Sequence, residues 1–219
     1  MKLMTESEQH FKKILANKGL ICHKIPEAVF KTPDFIVEMA DLRLLVEVKE
    51  ISHNPEQKEI LKNIEKNSEY VSNEGDIGFK AIEIYSKSIK NILKSAIKQF
   101  KKYRKNDDIC FITIADNRDF FLKDLNLVST IKNVMIGKGH YQSDKNGKLI
   151  ECYRELGLFS KYPYISAIIV MSMQTENLLF LHNENTTNSA FIEPFISIFK
   201  DHEYSVSTPL GKQWRKFIR

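Results

Sequence analysis

Asp34, Glu47 and Lys49 have the residue types and spacing for acid–base and metal chemistry. They fall within residues 32–51, Thr-Pro-Asp-Phe-Ile-Val-Glu-Met-Ala-Asp-Leu-Arg-Leu-Leu-Val-Glu-Val-Lys-Glu-Ile. Two runs of alternating apolar and polar residues flank Ala40–Asp41, the pattern of two adjacent antiparallel strands. In the second run Leu44, Val46 and Val48 point to one face, and Arg43, Leu45, Glu47 and Lys49 to the other. Pro33 keeps the ladder from starting before Asp34, and pairing the strands as a hairpin brings Asp34 close to Glu47. Two carboxylates beside a lysine are hard oxygen ligands suited to Mg²⁺ or Mn²⁺. Such an ion acts on phosphodiesters, and Lys49 can steady a nucleophile or the charge building on phosphorus. The competing reading is an edge hairpin with a solvated outer face, since Glu-x-Lys recurs at Glu56-Gln57-Lys58.

The elements that must position these groups follow from the chain on either side. Thr5–Lys18 reads as a helix, capped by Thr5 or Ser7 and stopped by Gly19, with Phe11, Ile14 and Leu15 as its buried stripe. Glu6 and Glu8 suit its positive end, and Glu8 lies toward the side of the stripe. Leu20–Val29 reads as a strand interrupted at Pro26. The polar residues 53–78 predict a short surface helix near 56–69 and then a loop closed by Gly75 and Gly78. Residues 86–105 carry Ile89, Ile92, Leu93, Ala96, Ile97 and Phe100 at helical spacing. Lys87, Lys90, Lys94, Lys98, Lys101 and Lys105 form an uninterrupted basic ridge opposite, with Lys102 beside it. That ridge is either a solvated face or a phosphate-contacting one. Gln99 sits at the edge of the apolar stripe, one turn from Tyr103, where a buried amide needs a polar partner below the helix.

Asp108–Asp116 is a continuous apolar, β-branched run, as expected of a buried strand after a crossover helix. Residues 120–136 look helical, and Gly137–Gly147, with Lys138 and Lys145, reads as an exposed basic loop. Tyr164–Ser172 and Asn177–His182 read as further strands and Pro194–His202 as a last helix. His182 has no companion zinc ligands and reads as a strand-end residue. The tail 211–219 interleaves bases with aromatics and suits either stacking on nucleic acid or docking on the domain. A chain of 219 residues, 42% hydrophobic and 28% charged, fits one domain able to bury a core. Its net charge of +5 favours polyanionic partners mildly. Three cysteines without a CxxC pair predict a reducing, cytoplasmic setting rather than zinc or disulfides. The absence of a long apolar run predicts no membrane partner.

Pro33-Asp34, twelve intervening residues and Glu47-Val48-Lys49 resemble the PD-(D/E)XK nuclease superfamily, which includes restriction endonucleases, archaeal Holliday-junction resolvases and RecB-type nucleases. The run from Glu8 to Gly19 resembles the opening helix of the resolvases, and Gln99-Phe-Lys-Lys-Tyr103 the QxxxY element of RecB-like members. The resemblance covers about residues 5–116. It implies one α/β domain over 1–219, with a restriction-endonuclease-like αβββαβ core, a mixed sheet flanked by helices, and a C-terminal elaboration over 117–219. It also implies a Mg²⁺- or Mn²⁺-dependent deoxyribonuclease. Asp34, Glu47 and the Val48 carbonyl would hold metal, Lys49 would position the attacking water, and Glu8 would complete the outer shell. Gln99 and Tyr103 would orient substrate or Lys49. Candidate phosphate contacts are Lys94, Lys98, Lys101, Lys102, Lys105, Lys138 and Lys145. A non-cleaving nucleic-acid-binding module on the same fold is the alternative, and a partner-binding domain with merely surface charges a third. The sequence leaves DNA form, RNA and endonuclease or exonuclease action open. Many members act as homodimers, and no dimer seam is legible here.

Overall fold

In the computed structural model the sheet is organised around β4 (Ile109–Asp116), whose eight residues are all buried. The structure describes residues 3–27, 31–39, 42–52, 59, 74–117, 127–143, 145–146, 149–174, 178–183, 186 and 192–199. β1 (Ile21–Lys24), β2 (Phe35–Met39) and β3 (Leu42–Ile51) form an antiparallel meander. β3 pairs in parallel with β4, and β4 in parallel with β7 (Ile165–Ser172). β8 (Leu178–His182) returns antiparallel to β7, giving a six-stranded mixed sheet of order β1-β2-β3-β4-β7-β8. The chain is thus α/β, with helices on both faces.

One face carries Phe35, Val37, Leu44, Val46, Phe111, Ile169 and Phe180 against Phe11, Ile14 and Leu15 of α1 (Glu6–Asn17). Phe195 of α5 (Ile192–Ser197) and Phe199 complete this layer, the Phe195 ring 5.0 Å from Phe111 and 5.9 Å from Phe180. The other face carries Leu45, Cys110, Ile112, Ile114 and Ile168. It is covered by α2 (Glu74–Tyr103), α3 (Leu127–Met135) and α4 (Leu158–Lys161). Each fully buried aliphatic or aromatic side chain here contributes about 1.5–3 kcal/mol. Both faces of β3 and β4 are therefore apolar, and a charged side chain on either strand must find partners.

α1 shows how closely local chemistry sets an element's ends. The Glu8 N–H donates to Thr5 Oγ1 at 3.3 Å and the Thr5 N–H to Glu8 Oε2 at 3.2 Å, a reciprocal capping box. At the far end Gly19 adopts φ +74°. Its N–H reaches the Ala16 carbonyl at 2.9 Å, and that of Leu20 reaches Leu15 at 3.0 Å. This double closure needs the left-handed residue that glycine supplies.

Several sequence expectations change. The first strand is Ile21–Lys24 rather than Leu20–Val29: Ile25 adds one further ladder bond, to the Asp34 carbonyl at 2.9 Å, and Pro26 then has no N–H to extend it. α2 starts at Glu74, so Gly75 and Gly78 lie within the helix rather than closing a loop. A glycine costs a helix about 1 kcal/mol, which the packed C-terminal half of this 30-residue helix tolerates. The expected basic loop is instead β5 (Gly137–Ser143), paired with β6 (Leu149–Leu156) in a separate two-stranded sheet. Lys138 lies within β5, and Lys145 is exposed between the strands. Gly157 lets this hairpin return to the core, since a Cβ there would lie 2.3 Å from the Met135 carbonyl. α5 begins two residues before Pro194, which a first turn accepts. The expected helix near 56–69, apart from Glu59, lies outside the described residues, as do 118–126 and the tail 211–219. Among the described residues no helix is long and apolar enough to cross a membrane.

Candidate active site

The register of the meander brings the first acid to the second. The Asp34 N–H donates to the Val46 carbonyl at 3.0 Å, placing Asp34 one step before β2. Val48, two residues beyond Val46, turns its backbone groups to the same side, where β2 has already ended. The Asp34 carboxylate fills that gap, its Oδ2 accepting from the Val48 N–H at 2.8 Å. The side chain thus continues the ladder where the strand stops, and the Val48 carbonyl lies on the same side.

Glu47 projects from β3 into the layer under α2, only 1% exposed. Its Oε1 accepts from the Gln99 amide and pairs with the Lys49 ammonium. Its Oε2 is buried and has no hydrogen-bond partner. Burial, and next the negative charge of Asp34, push the Glu47 carboxyl up from 4.5 to about 8, with Lys49 opposing them. Gln99, itself 8% exposed, therefore meets the polar partner that its place on the stripe required.

Glu8 reaches the same place from the opposite layer. Its Oε1 lies 2.8 Å from Lys24 Nζ, which also contacts Asp34 Oδ1 at 2.9 Å. Glu6 is exposed, so Glu8 is the helical acid that belongs to the site. The sequence alone does not single out Lys24. It faces the same way as buried Cys22 and stands opposite Phe35 in the β1–β2 register. The eight residues between Ile25 and Asp34 leave that register open in the sequence.

These groups line one cleft of about 460 Å³, together with Ser7, Lys31 and Thr32. Five carboxylates (Glu8, Glu27, Asp34, Glu47, Glu50) meet three lysines (Lys24, Lys31, Lys49) there. The cleft is thus acid-rich in a basic protein, an arrangement that attracts a cation. Among the described residues no three or more His, Cys, Asp or Glu side chains are arranged to hold a metal ion by themselves. Asp34, Glu47 and the Val48 carbonyl remain as an all-oxygen donor set, and the orphaned Glu47 Oε2 fits a hard divalent cation.

Other candidates stand apart. The Tyr103 ring lies 5.5 Å from the Arg43 guanidinium, and Arg43 binds Asp108 through both carboxylate oxygens at 3.0 Å. Arg43 precedes Glu47 by four residues, roughly 13 Å along the strand, so Tyr103 does not join Gln99 at the site. Lys94, Lys98, Lys101, Lys102 and Lys105 are exposed, and none of them lines the cleft. At 100° per residue Lys94, Lys98 and Lys101 lie roughly 100–160° around α2 from Gln99, and Lys102 roughly 60°. His182 ends β8, three strands along the sheet from β3. The chain matches no family model, no curated protein and no solved structure.

Proposed function

We propose that the chain is a divalent-metal-dependent deoxyribonuclease built on a restriction-endonuclease-like core of PD-(D/E)XK type. The observation that carries this reading is the buried, unpartnered Glu47 Oε2 in one cleft with Asp34 and Lys49, on strands in the order the motif requires. Among the described residues the elements α1-β1-β2-β3-α2-β4 follow the αβββαβ order of that core, which supports the reading further.

Asp34, Glu47 and the Val48 carbonyl would hold Mg²⁺ or Mn²⁺. Bound there, the ion supplies Lewis-acid chemistry toward a phosphodiester. Asp34 is held in place by the Val48 N–H, and Glu47 by Gln99, so neither carboxylate needs to reorganise when charge develops. Lys49, 25% exposed beside Glu47, has ammonium protons left for an attacking water or for the oxygens on phosphorus. The acid-rich cleft repels a bare phosphodiester and accepts one only with its cation, which couples substrate seating to metal. DNA is the proposed substrate, with RNA an outcome of the same assay.

Lys49→Ala tests the assignment. Cleavage should fall by about 10²-fold or more while the melting temperature and DNA affinity stay close to wild type. Cleavage unchanged in that variant would refute the role of Lys49. Metal-dependent cleavage also separates this reading from a non-cleaving nucleic-acid-binding module on the same fold.

A further inference from the structure

Lys24 closes β1 directly opposite Phe35, and its ammonium lies 5.0 Å from the centre of that ring. From there Nζ contacts Glu8 Oε1 at 2.8 Å and Asp34 Oδ1 at 2.9 Å. The other Asp34 oxygen already accepts from the Val48 N–H. Both oxygens of the first acid are therefore engaged by the protein, one of them by a full positive charge. A divalent ion coordinated to an oxygen sits about 2.1 Å from it. An ion on Asp34 Oδ1 would then stand no more than about 5 Å from the ammonium, with like charges facing each other in a half-enclosed cleft. The Lys24 side chain is 30% exposed on a flexible stem and has room to leave.

We propose that Lys24 is an exchangeable counter-ion. It neutralises Asp34 and Glu8 when no divalent cation is present, and it sets the metal affinity of the empty cleft low. A phosphate entering the cleft offers the ammonium a different anionic partner, so Lys24 moves from carboxylate to substrate as the cation loads. Lys24 is thus a positioning residue that links metal loading to the arrival of a phosphodiester. The inference rests on the metal-site reading above, and it concerns a residue which that reading does not use.

The test is Mn²⁺ binding to the full chain without DNA, read from the electron paramagnetic resonance signal of the free ion. Lys24→Met and Lys24→Gln remove the charge, and Lys24→Arg keeps it. Cooperative thermal melts establish that each variant folds. Both neutral variants should bind Mn²⁺ at least about tenfold tighter than wild type, as expected when a neighbouring like charge is removed, and Lys24→Arg should stay within about threefold. A purely structural lysine that holds Asp34 and Glu8 in place predicts the opposite sign, weaker binding in both neutral variants. Equal or weaker binding overturns the proposal, whichever variant folds. Tighter binding without DNA cleavage would leave this inference standing and remove the nuclease reading. Cleavage with unchanged Mn²⁺ affinity would remove this inference alone. Mn²⁺ bound by none of the proteins would remove both.

Discussion

Replacing Glu47 by glutamine removes a carboxylate that the fold holds at 1% exposure beside Asp34. Burial and the neighbouring acid raise this carboxyl from 4.5 to about 8. That separation corresponds to about 5 kcal/mol in favour of its protonated form in the folded chain. Between these two values the unfolded chain carries Glu47 ionised while the folded chain keeps it protonated, so folding takes up a proton. The contribution is full below pH 4.5 and is lost as pH rises through about 8. Wild-type stability should therefore decline across this window, and the glutamine variant, which keeps an acceptor for Gln99, should lack this component. For a chain of this size 1 kcal/mol shifts the melting temperature by about 2–4 °C, so the two proteins should diverge by about 10–20 °C from one side of the window to the other. The assay is thermal unfolding followed by circular dichroism in EDTA, at pH values spanning the window. Groups shared by both proteins cancel in the difference. Parallel curves for wild type and Glu47→Gln would refute the assignment of Glu47 as a buried acid raised by its surroundings.

Two further outcomes test the frame around the site. Asp108→Ala removes the buried partner of Arg43 and the acceptor of the Lys105 N–H, and should cost about 2–3 kcal/mol in urea unfolding without changing metal binding. Gly157→Ala places a methyl 2.3 Å from the Met135 carbonyl and forces the main chain apart, so it should destabilise by about 2 kcal/mol or more; a variant as stable as wild type would contradict that close approach.

The residues of the site were legible in sequence where local chemistry and strand period agree. Alternation around Ala40–Asp41 placed Glu47 and Lys49 on one face and paired them with Asp34, because a two-residue link leaves little freedom of register. The α1 stripe, its cap and its glycine stop were legible for the same reason, and so was β4 as an unbroken apolar run. Gln99 announced itself as an amide on an apolar stripe. Tyr103 misled because helical spacing gives its turn but not the direction of the sheet beneath. α2 carries Gln99 over Glu47, and its next turn passes toward Arg43 at the start of β3. Lys24 depends on the β1–β2 register, which the ten residues between Lys24 and Phe35 leave open in the sequence. The β5–β6 hairpin was hidden because Gly-Lys-Gly-His-Tyr-Gln-Ser has no apolar alternation, and backbone pairing needs none.

The proposed activity is metal-dependent phosphodiester hydrolysis centred on Asp34, Glu47 and Lys49. Its most direct test is incubation of the purified chain with supercoiled plasmid, linear duplex and single-stranded DNA in Mg²⁺ or Mn²⁺, with EDTA and Asp34→Ala as controls. Cleavage of at least one form, abolished by both controls, is the predicted result. No cleavage of any form, or cleavage that survives Asp34→Ala, would contradict it.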